Sequence, residues 1–176
     1  MTDSFQNDDS DIGGSTNTFP VLHNFNEMYT PPEAVDIISK YLPKDKVYRE
    51  ACYGMWHFAN RLRENWFTVI WEREIDCLQQ DPWWRDIFIT NPPFNWNKKF
   101  IKRAIELWKP FIFLIRLEHL WWVEASNLLK NLWDYTIIIP QKRINYIKLQ
   151  WNTSSSPFHS IFLTYWLWLW TKIIYD

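Results

Sequence analysis

Strands alternating with helices of about ten residues predict an α/β fold: a mostly parallel sheet built from βαβ units and closed by a C-terminal antiparallel hairpin. Two patterns carry the prediction. Short apolar runs such as "DIFIT" (86–90) and "PFIFLIRL" (110–117) lack the alternation of a half-exposed strand, as strands buried on both faces do. Between such runs, "AVDIISKYL" (34–42) and "KKFIKRAIEL" (98–107) repeat apolar side chains every three or four residues, the spacing of one helix face.

Taken in order, residues 1–18 are polar and rich in Asp, Ser and Asn, which predicts a disordered tail ahead of a single domain over 19–176. "TPPEAVDIISKYL" (30–42) is a helix with Thr30 as its N-cap and prolines in its first turn. A strand "KVYREAC" (46–52), a helix "HFANRLREN" (57–65) and a strand "FTVIW" (67–71) follow. Next come the strand "DIFIT", the helix "KKFIKRAIEL", the strand "PFIFLIRL", the helix "VEASNLLKNL" (123–132) and the strand "DYTIII" (134–139). The Ser/Thr cluster "NTSSS" (152–156) reads as a surface loop, and Ser160 to Tyr175 as two strands joined by a tight turn.

The bulk composition narrows the function. A chain of 176 residues with net charge -1 has room for one core and no basic field over the whole molecule, so any nucleic-acid contact must come from local patches. Cys52 and Cys77 form neither a metal motif nor a disulfide framework, which fits a reducing, cytoplasmic setting. No signal peptide is recognisable, and the apolar run "IFLTYWLWLW" (161–170) is too short to cross a bilayer. No metal is expected, and His57 and His119 are expected on helix or loop surface.

One count is out of line: 14 Trp against 3 Gly, where ordinary usage gives roughly 12 Gly in this length. The Trp residues collect where turns belong. Trp66, Trp108 and Trp133 each stand between a helix and the next strand, the position that Gly fills because φ there is positive. Trp71 ends a strand, Trp96 follows Asn-Pro-Pro-Phe, Trp121 and Trp122 open a helix, and "YWLWLWTK" runs Trp through the expected hairpin. The pattern predicts a gene that encodes glycine with UGA, translated here with UGA read as Trp. The alternative is a truly Trp-rich protein with an aromatic binding surface, and the codons decide between them.

Chemistry concentrates at Asn91-Pro92-Pro93-Phe94, straight after the strand "DIFIT" and hence at the carboxyl edge of the sheet, where open α/β folds bind ligands. The prolines stiffen the exit and remove two backbone donors, so nearby carbonyls remain acceptors. An Asn side-chain oxygen and a Pro carbonyl can together accept from one exocyclic NH2 group, and Phe94 can stack on the base that carries it. The alternative is a proline-rich strand exit with no function.

"NPPF" resembles the catalytic tetrapeptide of S-adenosylmethionine-dependent amino-methyltransferases, in particular the adenine-N6 DNA methyltransferases, with their Asn/Asp-Pro-Pro-aromatic motif. Enzymes that methylate glutamine in proteins or guanine in ribosomal RNA share the tetrapeptide. The resemblance extends upstream: "EACYGMW" puts Glu50, Ala51, Cys52, Gly54 and Trp56 in the register of that family's acidic residue and Gly-x-Gly cofactor loop. Trp56 replaces the last Gly, where an indole would crowd the cofactor and the recoding would restore the pattern. "NEMYTPPEAV" (26–35) is similar to the segment ahead of the cofactor motif in small phage-type adenine methyltransferases, so Tyr29, Thr30 and Pro31 are implied to line the methionine end of the pocket.

The resemblance spans roughly 26–176. It implies a Rossmann-like class I methyltransferase fold with helices on both sheet faces, S-adenosylmethionine as cofactor and DNA as partner. A ribose-binding carboxylate is implied after the second strand, with Glu72 or Glu74 favoured over Asp76, and Asp81 resembles the residue that reads the cofactor adenine; a solvated acidic loop is the alternative for each. "PQKRINYI" (140–147) also looks like the family, making Lys142 and Arg143, with Lys98, Lys99 and Arg103, candidates for phosphate contacts or simply a solvated basic face. The expected reaction is methyl transfer to N6 of adenine. A glutamine or RNA acceptor is the same-fold alternative, and a non-catalytic nucleic-acid-binding protein blocked by Trp56 is the alternative of a different class.

Overall fold

The computed structural model describes residues 28–52, 57–70, 78–79, 86–121, 123–130, 132–148, 153–154, 158–167, 169 and 172–176. The tail 1–18 therefore lies outside the described residues. Among them the chain is α/β, with a seven-stranded mixed sheet and helices on both of its faces.

The chain enters through a two-residue strand, β1 (Met28–Tyr29), and α1 (Pro32–Ser39), and then alternates β2 (Val47–Glu50), α2 (His57–Glu64), β3 (Thr68–Ile70) and β4 (Ile87–Thr90). A short 3-10 turn, Phe94–Trp96, leads into α3 (Asn97–Glu106), then β5 (Phe111–Arg116), a second 3-10 segment, Leu117–Trp121, α4 (Val123–Lys130) and β6 (Tyr135–Ile139). β7 (Tyr146–Lys148), β8 (Thr153–Ser154), β9 (Ser160–Tyr165) and β10 (Ile173–Tyr175) complete it. The large sheet runs β10-β6-β9-β5-β4-β2-β3, and only β9 is antiparallel to its neighbours.

Strand alternation divides the core between the two faces. Ile87 and Ile89 of β4, with Ile112 and Leu114 of β5, face α1 and α2, where Val35, Ile38, Phe58 and Leu62 are buried. Phe88, Phe111, Phe113 and Ile115 face the other way, onto Phe100, Ile101 and Ala104 of α3 and Leu129 near the end of α4. This is why "DIFIT" and "PFIFLIRL" show no alternation of apolar and polar positions: β4 and β5 have no solvent face. A buried ion pair locks β2 to the entry of β4, with Arg49 Nε 2.9 Å and Nη2 2.8 Å from Asp86 Oδ2.

Several expectations need correction. The helix α1 begins at Pro32 with extended Pro31 as its cap residue and no side-chain cap bond, because a residue before proline is held out of helical conformation; Thr30 stands one residue too early and is buried. The C-terminal strands form no hairpin. β6 lies between them, with β9 antiparallel on one side and β10 parallel on the other. Just after β10, Asp176 accepts hydrogen bonds from Lys40 Nζ at 2.9 Å and Tyr41 Oη at 2.8 Å, tying this edge of the sheet to the end of α1. Within "NTSSS", Thr153–Ser154 pairs with β7, and β1 pairs with the other side of β7, making a small three-stranded sheet. Finally, His119 is buried and His57 half-buried, neither on open surface.

The backbone resolves part of the tryptophan pattern. Trp66, Trp108 and Trp166 have φ of 64°, 52° and 60°, and they are the only non-glycine residues with positive φ among those described. At the end of α2, Trp66 N–H donates to Arg63 O and Phe67 N–H to Leu62 O; at the end of α3, Trp108 N–H donates to Ile105 O and Lys109 N–H to Ala104 O. Each pair is a Schellman motif with Trp at the left-handed position where Gly belongs. Trp133 does not follow the expectation: its φ is not positive. Trp56, Trp71 and Trp122 lie outside the described residues. No helix among the described residues is long and apolar enough to cross a membrane.

Candidate active site

Strand order places the site. From β2 the sheet grows to β3 on one side and, on the other, to β4 and β5, so the order reverses between β2 and β4. Parallel sheets leave a crevice at such a reversal, outside the carboxyl ends of the strands. Glu50 pairs in register with Ile89, so Ala51 and Cys52 leave the sheet beside Thr90 and Asn91. The start of the expected cofactor loop and the Asn-Pro-Pro-Phe loop therefore face one crevice.

Asn91 is half-buried, and its Oδ1 is enclosed without a hydrogen-bond partner among the described residues. Pro92 is buried and Pro93 exposed, with Pro93 at φ -51° and ψ 134°. Neither proline has an N–H, so this corner presents oxygens and no backbone donors. A buried acceptor left without a donor carries a cost of about 1–3 kcal/mol. The free acceptor can take a further hydrogen bond from an N–H or an O–H.

Phe94 is held on two sides. Its ring lies perpendicular to that of Tyr146, centroids 5.9 Å apart, and the Arg116 guanidinium carbon lies 4.3 Å from its centroid. Arg116 in turn stacks on Phe158 at 3.8 Å. Tyr146 is buried, shares a hydrogen bond of 2.8 Å with Ser160 Oγ, and its hydroxyl is pushed up to about 12 by that burial. Tyr146 belongs to β7, whose next residue, Ile147, pairs with Tyr29. The small sheet thereby brings Tyr29 and the buried Thr30 to the same edge, where the Tyr29 ring tilts against His57 at 5.1 Å.

Glu50 has a structural partner: its Oε2 accepts from the Ala59 N–H at 2.9 Å, bracing the first turn of α2. Burial pushes this carboxyl up to about 8, against the lowering effect of the Ala59 hydrogen bond and the Arg63 charge. Ala51 and Cys52 are half-buried against the α3 side of the core. Gly54, Trp56, Glu72, Glu74 and Asp81 lie outside the described residues. Of the basic candidates, Lys99, Lys142 and Arg143 are exposed and Lys98 and Arg103 half-buried; Arg103 approaches Glu106 at 4.0 Å. Lys98 and Lys99 open α3 just after β4, and Lys142 and Arg143 follow parallel β6, so all four emerge at the carboxyl edge.

Two residues missed in the sequence belong to this corner. Asn97, the first residue of α3, and His119, from the 3-10 segment after β5, are both buried and in contact at 2.6 Å. Burial lowers the His119 pKa, assisted by the Arg116 and Lys98 charges and opposed by Glu118. Among the described residues no group of three or more His, Cys, Asp or Glu side chains is placed to hold a metal ion. The chain matches no known protein-family profile and no curated protein sequence.

Proposed function

We propose that this chain is an S-adenosylmethionine-dependent methyltransferase acting on the N6 amine of adenine in DNA. The observation that carries the reading is Asn91 Oδ1, a buried acceptor without a donor among the described residues, at the strand-order reversal and next to a Pro-Pro corner that has none to offer. An exocyclic NH2 group supplies two donors, one for Asn91 Oδ1 and one for the Pro92 carbonyl. Hydrogen bonding both N–H groups favours a pyramidal nitrogen whose lone pair is free for attack.

S-adenosylmethionine would supply an electrophilic methyl group on a sulfonium leaving group. The protein's share of the work is alignment, which suits a site built from fixed acceptors. Ala51 and Cys52, on the neighbouring strand end, and Tyr29 with Thr30, tied in through β7, are the described residues that would line the cofactor side. Phe94, braced by Arg116 and Tyr146, offers the aromatic surface for an extruded base. DNA is favoured by the exposed Lys99, Lys142 and Arg143 at the same edge, where phosphates flanking the base would lie.

The test is transfer of a labelled methyl group from S-adenosylmethionine to adenine-containing DNA, run beside RNA and glutamine-containing peptide acceptors. Label in N6-methyladenine of DNA is the expected result. Label in RNA or peptide alone moves the reading to another acceptor, and label in none, with both the chain as written and the version with all fourteen Trp changed to Gly, removes it.

A further inference from the structure

The Asn-Pro-Pro-Phe corner has an unusual mechanical problem. Proline fixes φ, so the only soft backbone rotation left at Pro92 and at Pro93 is ψ, and ψ decides where each carbonyl oxygen points. Most loops hold a peptide plane through both its C=O and the N–H of the next residue, but the plane of the Pro92 carbonyl ends at the Pro93 nitrogen and has no N–H. Whatever fixes the Pro92 carbonyl must do so as a donor.

Asn97 meets that need. With its amide nitrogen toward the loop, Asn97 Nδ2 donates to Pro92 O and to Pro93 O, both at 3.2 Å, while its Oδ1 accepts from His119 Nδ1 at 2.6 Å. This orientation satisfies every atom of the amide, whereas the reversed one sets oxygen against two carbonyl oxygens. Trp96 N–H adds a second donor to Pro93 O at 2.8 Å, so Pro92 O depends on Asn97 in a way that Pro93 O does not. His119 is itself fixed by its segment, which starts with Leu117 N–H donating to His159 O at 2.8 Å. Asn97 and His119 are 1% and 6% exposed, so water does not compete for these bonds.

We propose that Asn97, oriented by His119, is the positioning residue of the catalytic loop, setting the direction of the Pro92 carbonyl through one of its lone pairs and leaving the other for the substrate amine. This deepens the methyltransferase reading and rests on it for the identity of the amine. The carbonyl direction itself is a property of the chain and is measurable without any substrate.

The discriminating variant is Asn97→Asp. It keeps the size and the acceptor for His119 Nδ1–H, but replaces the donor facing two carbonyls with a second acceptor. His119→Asn retains a short side-chain N–H in place of Nδ1–H, and His119→Phe removes it at similar bulk. Three readouts apply to each: the crystal structure for the Pro92 carbonyl direction, S-adenosylmethionine affinity, and methyl-transfer kcat and KM. The expected result for Asn97→Asp and His119→Phe is a turned Pro92 carbonyl and a kcat lower by about 10- to 100-fold with cofactor affinity unchanged. His119→Asn is expected to restore both. Folded Asn97→Asp and His119→Phe proteins with the wild-type carbonyl direction would overturn the proposal, as would a kcat unaffected by a turned carbonyl. Absence of methyl transfer from both the chain as written and the version with all fourteen Trp changed to Gly refutes the methyltransferase reading instead, and the carbonyl direction in the variants still decides whether Asn97 holds the loop.

Discussion

Replacing Trp66 with Gly should stabilise this protein, the reverse of what deleting a large aromatic side chain usually does. Left-handed backbone costs a residue with a Cβ roughly 1–2 kcal/mol, and Trp66 holds φ at 64° to close the Schellman motif after α2. Its side chain is 88% exposed, so little packing is lost with it. Against the relief of strain stands the greater freedom of Gly in the unfolded chain, about 0.5–1 kcal/mol, leaving a net gain of about 1 kcal/mol. For a domain of this size that is about 2–4 °C in melting temperature. Trp108→Gly, at φ 52° and 68% exposed, should give a similar rise, and the two should add, being in separate turns on opposite sheet faces. Trp166→Gly should gain almost nothing, because that ring stacks on Tyr165 at 5.4 Å and meets Trp133 at 6.1 Å. Trp96→Gly, where φ is -112°, is the control without strain and should not stabilise. Thermal melts of the four variants test the reasoning; a fall in melting temperature for both Trp66→Gly and Trp108→Gly would refute it. The coding DNA gives the companion result: UGA at codons 66, 108 and 166 is expected from the recoding, and UGG at these codons removes it.

Three further outcomes are expected. Glu50 keeps a proton in the fold between its ordinary pKa of 4.5 and about 8, while the unfolded chain releases it, so stability should fall as pH rises through that window. Glu50→Gln, which still accepts from Ala59 N–H, should flatten the slope in urea melts taken across the same range. Asp86→Ala removes a carboxylate that pairs with the buried Arg49 guanidinium and should cost up to about 3–5 kcal/mol in denaturant unfolding. Asn91→Leu should raise the melting temperature slightly, by removing an enclosed oxygen with no partner among the described residues, while lowering methyl-transfer kcat by about 100-fold or more; unchanged activity would remove Asn91 from the reaction.

How much of this could be read from the chain depended on how local each cause is. β4 and β5 were legible because burial on both faces writes an unbroken apolar run, and α3 because one buried face repeats every three to four residues. β1 and β8, two residues each, and β7, three residues, are too short to carry any period; they exist because β7 has partners on both edges. The C-terminal strands were recognisable as strands, but not their partner, since β10 pairs with an edge of β6 more than thirty residues back. The left-handed positions of Trp66 and Trp108 were legible for a local reason too: a helix end needs a C′ residue, and its place is set by the helix just before it. Asn97 and His119 were not, because their contact spans 22 residues and exists only where the exit of β5 packs over the start of α3.

The same distinction separates the two halves of the proposed site. Asn91, Pro92, Pro93 and Phe94 can be named from sequence because they are contiguous, but contiguity does not aim them. Aim comes from residues that the sheet brings in from elsewhere: Asn97 with His119 on the carbonyls, Arg116 and Tyr146 on the Phe94 ring. Asn97, His119 and Arg116 come from elements that follow β4 or form β5, on the far side of the strand-order reversal from β2, while Tyr146 comes from β7 in the small sheet, which also carries Tyr29; Glu50 is braced by α2. Substitutions in the first set should therefore move kcat with cofactor affinity intact, and substitutions around Glu50 should move cofactor affinity. In-line transfer between two bound molecules requires that both sides of the crevice be held in place, since an error in either position lengthens the distance across which the group must pass.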